Sequence, residues 1–116
     1  MITDALIIKH SGQYDVEVVE RLKLDNLGIS RISGLDNCVA LTDLNLSSNI
    51  ITEMSGLDTT TSLRRLDLSN NKIKTLSSLE HLEALEHIDL RGNEISSIEE
   101  LDKLTAVRYN YVVYID

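Results

Sequence analysis

The chain contains no proline, tryptophan or phenylalanine, and its one cysteine, Cys38, cannot form an internal disulfide framework. Cys38 falls in an apolar slot and reads as a small buried hydrophobe rather than a reactive thiol. Nowhere does an apolar run approach the roughly 20 residues of a membrane helix. Met1 to Ser11 has neither the basic region nor the long apolar stretch of a secretory signal. A soluble, cytoplasmic protein is therefore expected. Cations are also scarce, with 11 Lys and Arg against 19 Asp and Glu and a net charge of −8. Without a basic stripe, neither nucleic acid nor an anionic membrane is an expected partner. Gly28, Gly34, Gly56 and Gly92 are scattered turn positions and not a phosphate-binding loop, so no cofactor and no small-molecule substrate is expected. The 116 residues allow one domain, with a slightly low apolar share of 42%.

What the chain does have is a line of 22 residues written four times. The first copy runs from Val19 through Leu22, Leu24, Leu27, Ile29, Ile32, Leu35 and Cys38. Later copies start at Leu41, Leu63 and Leu85 and keep the apolar places, with Met54 among the Leu and Ile of the second copy and Asn in the slot of Leu27. A fixed period of this length is the mark of a solenoid, in which each turn buries its apolar stripe against its neighbours. Within a copy, Leu66, Asp67 and Leu68 alternate apolar and polar, which is strand chemistry. Asn49, Asn71 and Asn93 follow where the chain leaves the strand. An amide carries both a donor and an acceptor, so stacked copies would satisfy the turn backbone as a ladder. The first copy has Leu27 in that slot, so the ladder starts at the second turn. The rest of each copy places Ile or Leu three apart, as in Ile95, Ile98, Leu101 and Leu104, which suits short helical or 3₁₀ turns. Ser77 with Glu80 and Ser97 with Glu100 have capping-box spacing.

The expected architecture is an α/β solenoid: a right-handed horseshoe with a concave parallel β-sheet, convex short helical or 3₁₀ turns and an N-terminal capping helix. Residues 1–18 form the cap, 19–106 the four repeats and 107–116 a partial fifth repeat. The cap helix spans residues 2 to 11, with Thr3 as N-cap, Gly12 as stop and an apolar face of Leu6, Ile7 and Ile8. Ile2 and Ile7 fit a hydrophobic staple. The fifth copy starts at Val107, but Asn110 stands where Leu is expected and Ile115 where the ladder Asn should be. Three readings remain open there: an irregular cap, a fragment of a longer protein, or an end covered by another surface.

The spacing LxxLxLxxNxIxxIxxLxxL resembles the short intracellular class of leucine-rich repeats. That class includes a regulatory subunit of protein phosphatase 1, a light chain of outer-arm dynein, and components of splicing and ciliary complexes. The opening Ile2 to Lys9, then Ser11-Gly12, Val19, Leu22, Leu24 and Leu27-Gly28, is similar to the leucine-rich repeat-containing protein 61 family. The resemblance implies protein–protein binding and no catalytic residues.

The three histidines, His10, His81 and His87, fall on the cap, a convex turn and a strand, and do not converge as metal ligands or a catalytic pair. An enzyme is not expected. The candidate partner-binding surface is the concave face, lined by Arg21, Lys23, Asp43, Asn45, Arg65, Asp67, His87, Asp89, Arg91, Tyr109 and Tyr111. Strands about 4.8 Å apart put Arg21, Asp43, Arg65, His87 and Tyr109 in one column. Alternating charge there reads either as solvated salt bridging or as a patterned groove for a partner helix or tail. Tyr109, Tyr111 and Tyr114 either join that groove or cover the end of the solenoid. The functional expectation is a non-catalytic adaptor in a cytoskeletal, ciliary or regulatory complex. The alternatives are a regulatory subunit docked on an enzyme such as a phosphatase, and a self-associating structural module. The chain is expected to be a monomer or to associate weakly with itself through its C-terminal end.

Overall fold

The structure, a computed structural model, describes residues 1–76 and 81–95, and the backbone of 112–114. Five strands, β1 (Arg21–Lys23), β2 (Asp43–Asn45), β3 (Arg65–Asp67), β4 (His87–Asp89) and β5 (Val112–Tyr114), pair in parallel and in chain order. Each is three residues long, and the alternation of buried and outward residues continues past it to the buried Leu24, Leu46, Leu68 and Leu90. Leu22, Leu44, Leu66 and Ile88 stand in one register column, and all are buried. One continuous core runs from Ile2 to Leu90, each fully buried Leu or Ile contributing about 1.5–3 kcal/mol. This is a leucine-rich-repeat solenoid closed at its start by a helix.

That helix, α1 (Asp4–Ser11), begins at Thr3, whose Oγ1 accepts a hydrogen bond from Leu6 N at 3.2 Å. It ends at Gly12, left-handed at φ 73°, whose N–H donates to Ile8 O. Ile2 and Ile7 are both buried, as a staple requires. Ile8 is a correction: at 37% exposure it lies off the apolar face, because 100° per residue carries it past the edge that Ile7 presents to the sheet. A short 3₁₀ turn, Val16–Val18, capped by Asp15, links helix to sheet.

On the convex side the described repeats carry successive single turns. Leu35 O accepts from Cys38 N and Cys38 O from Leu41 N; Leu57, Thr60 and Leu63 repeat the pattern. These are three-residue closures, the tighter of the two expected forms. Thr60 stands in the slot filled elsewhere by Cys38 and Leu82, fully buried, its hydroxyl donating to Leu57 O at 3.0 Å. Cys38 is buried, and burial first, then nearby Asp4, pushes its thiol up and holds it protonated. The capping pairs Ser77–Glu80 and Ser97–Glu100 lie outside the described residues.

The fifth strand corrects the expected register. A copy starting at Val107 would put Tyr109 beside His87, whereas Val112 holds that place, with Val113 paired to Ile88 and Tyr114 to Asp89. The step from His87 to Val112 is therefore three residues longer than the earlier ones. Spacing by 22 would put Asn110 into a column otherwise occupied by Leu and Ile, where a buried unpaired amide is costly. The longer step gives that register position to Val113.

Where each strand ends, the backbone enters the left-handed region at Asn26, Ser48 and Asn70, each with φ 56°, and at Gly92 with φ 73°. Asn tolerates this region and Gly is at ease in it, but Ser is strained by about 1–2 kcal/mol. Ser48→Gly relieves that strain at an entropic cost of about 0.5–1 kcal/mol. A net gain of about 0.5 kcal/mol is expected, measurable as a higher urea midpoint with an unchanged slope.

Candidate protein-binding groove

The sheet face opposite the core forms a groove of ≈ 490 Å³. Arg21, Lys23, Asp43, Asn45, Arg65, Asp67, His87 and Asp89, all named from the repeat register, line it together. They do so because the inward Leu22, Leu44, Leu66 and Ile88 commit their two neighbours to the opposite face. Tyr109 and Tyr111 lie outside the described residues. Arg91 stands beyond β4 and is bound to Asp89, with Nη2 2.7 Å from Oδ2 and Nε 3.0 Å from Oδ1. That bidentate hydrogen bond holds the Asp89 carboxyl below the usual carboxylate range, against a smaller opposing effect of burial.

Arg21, Asp43 and Arg65 are register partners on adjacent strands, yet no ion pair joins them among the described residues. The salt bridging that their alternation allowed is found elsewhere. Arg64 meets Glu86 at 2.9 Å on the exposed flank, and that hydrogen bond holds the Glu86 carboxyl low. Asp67 occupies itself locally, its Oδ1 accepting from Ser69 N at 2.9 Å and Ser69 Oγ at 2.6 Å. Asn45 does the same with Ser47, at 2.9 and 2.7 Å, leaving its Nδ2 without a partner among the described residues. His87 Nδ1 is buried and likewise without a partner among the described residues.

His10 also lines the groove, beside the first strand. The repeat register could not place it, because it belongs to α1. The available signal was its position in the last turn before Gly12, which the docking of α1 on β1 brings to the sheet edge. His81 is structural, its Nε2 lying 3.0 Å from Leu57 O.

The groove is rigid because the ladder behind it is fully bonded. Asn49 Oδ1 accepts from Leu27 N and Ile29 N, both at 3.0 Å, while Nδ2 donates to Leu24 O and Leu46 O. Asn71 joins Leu46 O, Leu68 O and Ile51 N, and Asn93 joins Leu68 O, Leu90 O and Ile73 N. These three amides hold successive strand ends at one spacing, and so fix the spacing of the charges in front of them.

Among the described residues no three His, Cys, Asp or Glu are grouped to hold a metal ion, and no helix is long and apolar enough to cross a membrane. A family profile described as Leucine Rich repeats (2 copies) matches residues 61–103. No curated protein matches the chain. Among solved structures, an internalin (inlF) of Listeria monocytogenes is 30% identical with a TM-score of 0.71, covering 85% of this chain and 28% of its own. An internalin C2 (inlC2) of the same organism is 22% identical with a TM-score of 0.58, covering 84% of this chain and 52% of its own. The chain thus spans about a quarter and a half of these two structures. Leucine-rich-repeat domains of this kind are typically non-enzymatic modules that bind protein partners.

Proposed function

We propose that the chain is a non-catalytic adaptor that captures a protein partner on its concave sheet. One observation carries the reading: exposed Arg21, Lys23 and Arg65 face a pre-formed groove and have no ion pair among the described residues. Charges with no structural partner contribute little to folding, while a rigid backbone presents them at constant spacing. Placement in a cytoskeletal, ciliary or regulatory assembly of the cytoplasm rests on the repeat spacing and the opening residues alone.

The test is affinity capture from the native cell with the unaltered chain, with Arg21→Glu/Arg65→Glu, and with Arg31→Glu as a control outside this groove. Partners held by the unaltered chain and the control should be lost from the double variant, a weakening of about tenfold or more. Equal recovery by all three would remove the groove as the site. A catalytic subunit among the captured proteins would mark a regulatory subunit rather than a structural adaptor.

A further inference from the structure

We infer, resting on that reading of the groove, that its occupant is an acidic peptide segment. It carries two carboxylates about 10 Å apart with a basic or neutral residue between them. The acids of the groove are largely engaged and its cations are not. Asp67 is bonded by Ser69 and Asp89 by Arg91, whereas Arg21, Lys23 and Arg65 have no ion pair among the described residues. Asn45 adds a neutral donor, its Nδ2 having no partner among the described residues. In a chain of net charge −8 the rest of the surface repels an acidic partner, so this corner is where one is admitted.

The spacing follows from the register. Arg21 and Arg65 are separated by two strand steps, about 9.6 Å, with Asp43 midway. An α-helix rises about 10.5 Å over seven residues, so Glu at i and i+7 reach the two arginines on one face. Lys at i+3 or i+4 then lies over Asp43. A helix laid into the groove meets all three charges with complementary sign, while Lys23 flanks it.

The experiment is fluorescence anisotropy with three labelled helical peptides: Glu–Lys–Glu at i, i+4 and i+7, the sign-reversed Lys–Glu–Lys, and a scramble of the first. The first should bind at least about tenfold more tightly than the other two, and the more so at low salt. Arg65→Glu should abolish its advantage. Asp43→Lys should strengthen binding of a Glu–Glu–Glu version, a gain that misfolding cannot produce. No binding of the first peptide at about 1 mM, or equal binding of peptide and scramble, overturns the acidic occupant. If the peptides fail while Arg21→Glu/Arg65→Glu still loses the native partner, the groove reading stands and only the acidic occupant falls. If that variant loses nothing, the groove reading falls as well.

Discussion

Asn49→Ala is expected to destabilise the chain by about 3–5 kcal/mol, more than the same change at Asn71. Both amides are buried to the same degree and sit in the same repeat position, so the difference comes from what each one serves. Carbonyls within the ladder are shared: Leu46 O receives Asn49 and Asn71, and Leu68 O receives Asn71 and Asn93. Removing Asn71 leaves those two carbonyls one donor each and orphans Ile51 N, for a loss of about 2 kcal/mol. Asn49 has no rung before it, because the first copy carries Leu27 in that slot. Its loss strands Leu27 N and Ile29 N, and Leu24 O, to which no other rung reaches. Urea unfolding of both variants measures the order. Equal losses would mean that the first turn draws little from the ladder.

Gly56→Ala is expected to cost about 3–5 kcal/mol, combining a left-handed backbone with a steric overlap. Gly56 has φ 91°, and a Cβ there would run into the carbonyl of Ile32 one turn earlier. The obstacle is backbone, which no rotamer change relieves. Gly34 meets the carbonyl of Ile2 in the same way, so the cap docks on the first repeat by the contact that joins the first repeat to the second. A loss of that size is a large part of the total stability of a small domain and lowers the melting temperature by about 15 °C. Thermal unfolding followed by circular dichroism checks it. A melting temperature within a few degrees of the unaltered chain would show that the turns can part at Gly56 without cost.

The residues on each face were legible from the period. Leu22, Leu44, Leu66 and Ile88 are buried, and the polar residues between them line the groove. The amide ladder was legible too, including its start at Asn49, but its reach back to Leu27 was not. Three features escaped the repeat. His10 reaches the groove because a helix outside the repeat docks on its first strand. The fifth strand sits at Val112–Tyr114, three residues later than a step of 22 from His87 would put it. Arg21, Asp43 and Arg65 face one another without pairing, although their alternation alone allowed a salt-bridged column.

The sequence by itself determined the period, the sheet, the core and the face to which each residue belongs. A repeated apolar stripe buries itself only against its own neighbours, so a one-dimensional pattern is enough to specify it. Only the tertiary structure decided which charges are neutralised and which stay available. Adjacent turns bring side chains within about 5 Å of each other, whereas pairing is settled within an ångström or two by rotamer and by local competitors. Ser69 and Arg91 are such competitors, holding Asp67 and Asp89 while Arg21 and Arg65 remain open.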